Sequence, residues 1–461
     1  MKRGLTGHYL PISTTGEKAT AFVPHPLPPE PILAIDGELG ALLDAASTAL
    51  GRLDGVSLLL PDPGLFLYSY VRKEAVLSSQ IEGTQSSLSD LLSHELENTP
   101  AGLEEDAAEV SCYVDAMQHG LALLKNGQPL SLRMIRDIHR ILLSHGKGSG
   151  KMPGEFRTSQ NWIGGSRPGT ARFVPPPPEM VMDAMGALEL FLHDQPVKTR
   201  PLLKAALAHV QFETIHPFLD GNGRLGRLLI TFILCAEGVL DSPMLYLSLY
   251  LKKNRAEYYR LLQEIRLSGD WEEWFFFFLT GVLETSRAAT QTARDLLQLF
   301  ARDATILQAE ASSVIRLHQY MQRRPITSVP RASHSLGVST PTATKAIATL
   351  EKRGIIHEIT GQNYRKLYAY RSYLDILHAD TLESSSPTDH FLSHAGQEKA
   401  SNLQSRRCLR SREDRPQHQR AQRRARCRER PAQVIFLKSK KPLRHCAQRL
   451  FFIMEKGFSI P

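Results

Sequence analysis

From about Leu33 to Phe300 apolar residues recur at three- and four-residue spacing, as in Leu203, Ala206, Leu207 and Val210, and this pattern predicts a body of packed helices. One stretch breaks it. Asn161–Val174 holds two short β-prone runs, with Trp162 and Ile163 on one side and Phe173 and Val174 on the other, around a turn rich in Gly and Pro. Four prolines follow, and the whole reads as a β-hairpin projecting from the helical body. Ahead of the body, Pro24, Pro26, Pro28, Pro29 and Pro31 disfavour helix and predict an extended arm over residues 1–32.

Residues 305–377 form a second unit. The pattern predicts helices from about Ile306 to Arg323, near Thr327–Leu336, and from Ser339 to Arg353, the last two separated by a Gly-Val turn. After Gly354, Ile355–Ile359 and Tyr364–Tyr370 read as two strands around a turn. Three helices followed by a hairpin resemble a winged helix-turn-helix. The fold class is therefore mainly α, with a β-hairpin and a small winged unit. Residues 378–461 shift to Ser, Gln, His and Arg with little periodicity, which predicts a basic, disordered tail.

With 461 residues and 42% apolar side chains, the chain is long enough for two or three buried cores. Its longest apolar runs, around Leu228–Ala236 and Trp274–Leu283, are about half of the roughly 18 residues a membrane-spanning helix needs. No apolar segment follows the charged N-terminus, so the expectation is a cytoplasmic protein without a membrane partner. The formal charge of +9 suggests nucleic acid until it is located. Residues 401–461 carry 17 Lys+Arg against 4 Asp+Glu, leaving 39 against 43 for the rest, so the body is slightly acidic. The tail reads either as a basic nucleic-acid-binding extension or as translation in a shifted frame, and the abrupt charge change favours the second. None of the five cysteines forms a C-x-x-C pair, which supports neither a disulfide framework nor a zinc ribbon.

The stretch that carries chemistry is His216-Pro217-Phe218-Leu219-Asp220-Gly221-Asn222-Gly223-Arg224-Leu225-Gly226-Arg227, which runs into an apolar helix. Gly221, Asn222 and Gly223 can turn successive N–H groups into one concavity at a helix N-terminus, an anion-binding nest. Arg224 and Arg227 lie three apart and can neutralise outer phosphates, and Asp220 supplies a hard oxygen for Mg²⁺. His216, just before the nest, is the candidate general base for an incoming hydroxyl.

Residues 216–227 match the signature of the Fic family, H-x-F-x-[D/E]-G-N-G-R-x-x-R, at every specified position. The resemblance implies transfer of AMP from ATP to a Ser, Thr or Tyr hydroxyl of a target protein, or of the enzyme itself, with release of pyrophosphate. His216 would deprotonate the target and Asp220 would hold Mg²⁺ between the α- and β-phosphates. Asn222 and the nest amides would hold those phosphates, Arg224 the β-phosphate and Arg227 the γ-phosphate. Gly221-Asn222-Gly223, rather than the A-N-K of a kinase-like relative, favours adenylylation over phosphorylation.

Upstream, Ser78-Ser79-Gln80-Ile81-Glu82-Gly83 resembles the family's inhibitory motif, S/T-x-x-x-E-G/N. On that resemblance Glu82 pairs with Arg227 and denies it to the γ-phosphate, with Ser78 and Gly83 completing the motif. The resemblance makes residues 33–120 the Fic-associated helical region with its inhibitory helix and 121–300 the catalytic domain. The Asn161–Val174 hairpin becomes the flap that holds a target segment by strand addition through Trp162, Ile163, Phe173 and Val174. Tyr246–Tyr259 resembles the lining of the adenine pocket, with Lys253 or Asn254 as the contacts and the tyrosines as core. The winged unit resembles modules used for homodimerisation, protein binding or DNA contact, the first two favoured over DNA because Thr342, Thr344, Lys345, Lys352 and Arg353 are a modest basic load. Two other readings are a DNA-binding regulator whose Fic site senses nucleotide, and a Fic enzyme that uses another nucleotide donor.

Overall fold

The computed structural model describes residues 1–14, 16–58, 64–95, 104–362 and 364–379; the expected tail lies, from residue 380, outside them. The chain opens with β1 (Gly7–Thr14) and β2 (Glu17–Pro24), then α1 (Gly37–Leu58), α2 (Gly64–Ile81), α3 (Leu88–His94), α4 (Glu104–Lys125) and α5 (Leu132–Leu142). It continues through α6 (Pro178–Leu192), α7 (Pro201–Ile215), α8 (Asn222–Ala236), α9 (Ser248–Lys253), α10 (Arg255–Ser268) and α11 (Trp271–Ile306). The last elements are α12 (Ser312–Arg323), β3 (Ile326–Ser328), α13 (Val329–Leu336), α14 (Thr340–Lys352), β4 (His357–Glu358), β5 (Leu367–Ala369) and α15 (Arg371–Ala379). The fold is mainly helical, with small sheets.

At the centre lie α7 and α8. Every residue of α7 from Leu202 to Ile215 is buried, as expected of a helix that is apolar on most faces. Pro201 starts it at the position where a missing N–H costs nothing. In α8 all but one of the residues from Asn222 to Leu234 are buried, so the loop between the two helices is held at both ends by packed core. Each fully buried Leu, Val, Ile or Phe on this pair contributes about 1.5–3 kcal/mol of transfer free energy. Polar caps set other starts: Ser131 Oγ accepts from Met134 N on α5, and Ser87 and Asp90 form a reciprocal capping box on α3.

Four expectations change. The proline-rich arm is preceded by an antiparallel hairpin, β1 with β2, whose Ala21, Phe22 and Val23 are buried. Alternation in His8–Ile12 and Lys18–Phe22 permits it, and the prolines only terminate it. The stretch Asn161–Val174 is reduced to one bridge, Ile163 with Phe173, closed by a 3-10 turn at Pro168–Thr170. Gly164, Gly165 and Gly169 bend the chain after a single rung: Arg172 N donates to Gly164 O at 2.8 Å, and Val174 O accepts from Phe22 N of β2 at 2.9 Å.

The boundaries drawn between 120 and 121 and between 300 and 305 both fall inside continuous helices, α4 and α11. Beyond α11 the first helix begins at Ser312, not Ile306, and a short strand, β3, precedes α13. The β3-β5-β4 sheet is antiparallel. This C-terminal unit is fastened to the rest: Tyr373 OH lies 2.9 Å from Ser69 Oγ of α2, both buried, and Tyr370 OH donates to Asp303 of α11.

Candidate active site

The α7–α8 loop turns on backbone geometry. His216 caps α7 in the left-handed region (φ 50°, ψ 59°), and Gly221 opens α8 with φ 74°. The glycine adopts that value without strain. Asn222 spends its side chain on the loop itself, accepting from Phe218 N at 2.9 Å and donating to Phe218 O at 2.8 Å. Its backbone N–H and the second hydrogen of Nδ2 are left for an anion. Asp220 Oδ1 accepts from Gly221 N at 2.6 Å, with the carboxylate 40% exposed.

The two arginines enter from α8. Arg227, its side chain 1% exposed, donates through Nε to Ser78 Oγ (2.8 Å) and through Nη2 to Ser78 O (3.0 Å) and Glu82 Oε1 (2.7 Å). Burial opposes charge on both Glu82 and Arg227, yet their mutual attraction wins, holding Glu82 below and Arg227 above their ordinary values. Arg224 is held more loosely, 3.5 Å from Glu109 Oε2 and 3.7 Å from Asp220 Oδ1. Nη1 of each arginine is buried without a hydrogen-bond partner.

Glu82 follows α2 at Ile81, and Gly83 takes φ 104°, a value that favours glycine. Gly223 matters too: a Cβ there would stand 2.2 Å from Glu82 Oε1. The carboxylate thus lies against the N-terminus of α8, at the nest.

His216 is buried. Burial, with Arg157 and Arg266 adding positive charge, pushes its imidazole down to about 4, so the ring is neutral and able to accept a proton at neutral pH. Arg157 Nε donates to His216 O at 2.9 Å and Arg157 N to Pro217 O at 2.9 Å, tying the loop to the segment between α5 and α6. His139 of α5 stacks on Phe218 at 3.7 Å, accepts from Gly154 N through Nδ1 and so donates from Nε2 to Asp220 O. Sequence reasoning missed Arg157, His139 and Glu109. Only their charged or polar character signalled them, and the partners given above at the loop and on α8 lie between 59 and 115 residues away.

Of the flap residues, Trp162 and Ile163 are half-buried, whereas Phe173 and Val174 are buried, Phe173 beneath the Arg266 guanidinium at 3.7 Å. Lys253 is exposed at the end of α9. Asn254 caps that helix, its side chain donating to Tyr250 O at 3.0 Å. Tyr246 and Tyr258 are core. Lys252 Nζ donates to Gln80 Oε1 at 2.7 Å, which joins α9 to the end of α2 beside Glu82. Among the described residues no helix is long and apolar enough to cross a membrane, and no three His, Cys, Asp or Glu side chains cluster to hold a metal.

Two family models match the chain, Fic/DOC family N-terminal over residues 41–122 and Fic/DOC family over residues 129–234. A protein adenylyltransferase fic-1 of Caenorhabditis elegans is 35% identical over 149 residues, 32% of this chain and 26% of that protein. A protein adenylyltransferase Fic of Aedes aegypti is 31% identical over 222 residues, 44% of this chain and 41% of that protein. The chain therefore spans well under half the length of these relatives. A Fic family protein from Desulfovibrio desulfuricans G20 is similar in structure, with a TM-score of 0.46 and 20% identity over 74% of this chain and 98% of that one. Matched by one family model across the α7–α8 loop and by another over the helices before it, and related to protein adenylyltransferases, this chain belongs to the Fic/DOC family.

Proposed function

We propose that this chain is an ATP-dependent protein adenylyltransferase held back by Glu82. The observation that carries the reading is the grip on Arg227: a buried guanidinium at an anion-binding helix start, closed off by Ser78 and a carboxylate of its own chain. In the reaction, the target Ser, Thr or Tyr oxygen attacks the α-phosphorus of ATP and the α–β bridging P–O bond breaks. Pyrophosphate leaves, and the hydroxyl proton passes to His216. A neutral imidazole at physiological pH suits that role.

The α8 N-terminus and the amides of Gly221, Asn222 and Gly223 would take the α- and β-phosphates, Arg224 the β-phosphate, and Arg227 the γ-phosphate once Glu82 withdraws. Mg²⁺ fits the donor set, because it binds through one or two carboxylates and takes its other ligands from phosphate and water, and Asp220 offers one exposed carboxylate beside Arg224. When bound it supplies positive charge to the phosphates. Lys253 and Asn254 are the proposed adenine contacts. Trp162 and Ile163 offer a target segment the flap's less buried strand, while Phe173 and Val174 act from beneath it. For residues 305–377 the order helix, strand, helix, helix, two strands supports a winged helix-turn-helix that binds a second copy or another protein.

The test is label transfer from α-phosphate-labelled ATP with Mg²⁺ to self and lysate proteins, comparing wild type, Glu82→Gly and Glu82→Gly/His216→Ala. A γ-labelled control reports phosphorylation. Strong α-label in Glu82→Gly that disappears with His216→Ala supports the reading; no α-label from any variant that binds ATP overturns it.

A further inference from the structure

One buried carboxylate beside the catalytic loop has no role in the account above. Glu213 stands on the last turn of α7, one turn before His216, and is buried. Its Oε2 lies 3.9 Å from His216 Nδ1. Glu213 Oε1 and His216 Nδ1 are both buried without a hydrogen-bond partner. A buried carboxylate oxygen left unpaired is costly, so its persistence calls for a reason. A second observation shows that room is kept for it: a Cβ at Gly226 would stand 2.5 Å from Glu213 Oε1. Gly226 occupies an unspecified position of the signature, so the phosphate chemistry does not explain it.

We propose that Glu213 is the positioning residue of His216, its carboxylate accepting the proton on Nδ1 so that Nε2 keeps its lone pair toward the incoming hydroxyl. The inference rests on His216 being the base of the proposed transfer. Catalytic hydrogen bonds are often long before substrate arrives, and a small χ adjustment of either side chain closes the 3.9 Å gap. Once Nε2 has taken the hydroxyl proton, the carboxylate faces the imidazolium as its counter-ion; no proton moves to Glu213 in the step, and the pair returns to its starting state when Nε2 releases its proton to solvent.

The surroundings bear on the balance of charge. Arg157 and Arg266 face His216 and disfavour the imidazolium, while the backbone of Glu213 and, after it, Glu82 favour it. Burial pushes Glu213 up to about 7 against the pull of Arg227 and Arg266, with Glu82 adding to the rise. Removing Glu82 leaves Glu213 as the nearby carboxylate able to offset the arginines. Below its titration Glu213 becomes a donor, and it would then favour the wrong tautomer of the ring.

The experiment compares Glu82→Gly with Glu82→Gly/Glu213→Gln. Rates of α-label transfer are measured from pH 5.5 to 9, and the ring nitrogens of His216, assigned through His216→Ala, are followed by ¹⁵N NMR. The expected result is a fall in kcat of at least about tenfold with the KM for ATP within about twofold. The rise in rate through pH 7 should disappear, and the protonated nitrogen should move from Nδ1 to Nε2. A fall in kcat with the tautomer and pH profile unchanged would make Glu213 a packing residue and overturn the proposal. So would an unchanged kcat. If the glutamine variant does not fold, the unsubstituted ring is decisive, because its ¹⁵N shifts must report a neighbour titrating near pH 7. The NMR readout needs no transfer, so failure of the adenylyltransferase reading stays distinguishable from failure of this one.

Discussion

Arg224 and Arg227 stand three residues apart on one helix and both reach the same loop, yet the fold treats them differently. Arg227 meets three oxygens at hydrogen-bond distance, all from α2 or the residue that follows it. Arg224 faces two carboxylates at 3.5 and 3.7 Å, beyond good hydrogen-bond range. One end of the cradle is locked and the other is loosely balanced. In the proposed function inhibition then rests on a single contact: Glu82 is 37% exposed and follows a helix end, so it can leave while Ser78 still holds Arg227.

That contrast yields graded outcomes. The largest effect should come from Glu82→Gly, which is expected to raise α-label transfer by about a hundredfold, the scale of a charge-assisted contact of roughly 3 kcal/mol; a change under threefold would mean that the locked end is not the brake. Ser78→Ala removes the acceptor for Arg227 Nε but leaves the carboxylate. Because that contact persists when Glu82 leaves, activity should change by less than about threefold, and Glu82→Gly/Ser78→Ala should gain little beyond Glu82→Gly.

Glu109→Gln tests the loose end. It frees Arg224 from its buried partner and should change the KM for ATP by only about two- to threefold in the Glu82→Gly background; a larger shift would show the two ends to be equally constrained.

The smallest effect concerns pH. Glu82 is held below its ordinary value, so its pairing is present above the usual carboxylate range and is lost only as pH falls through the depressed value. The activity ratio of Glu82→Gly to wild type should therefore be flat between about pH 5.5 and 8. A ratio that falls toward pH 5.5 would place the brake on another group.

How far the site was legible varies residue by residue. The helical pair flanking the signature follows from local periodicity, and Gly221, Gly223 and the arginine spacing follow from what a helix N-terminus and a phosphate require. The Ser78–Glu82 pattern was visible because its members share one helix end. Asn222 shows the limit: the sequence offered its amide to phosphate, and only the fold shows that the same side chain also holds the backbone of Phe218. Burial of Phe173 and Val174 under β2 and Arg266 was equally invisible, since no local pattern says which strand a hairpin will meet. The boundary expected near residue 300 was missed because Phe300 and Asp303 sit on one helix face that packs against Tyr370 and Tyr373, a use that polarity alone does not distinguish from a linker.

Short-range physics, in which turn, nest, cap and periodicity depend on neighbours a few residues apart, was enough to name the helices around the signature, the candidate general base and the anion cradle; the inhibitory role of Glu82 came only from the family resemblance. Tertiary packing decided the rest: that Arg227 closes on Ser78 and Glu82 across 145 to 149 residues, that Glu109 faces Arg224, and that Ser69 of α2 meets Tyr373 across 304. These contacts join groups whose separation along the chain carries no information about their separation in space. Burial then sets their strength, because the same charges weigh far more in a dry interior than in water.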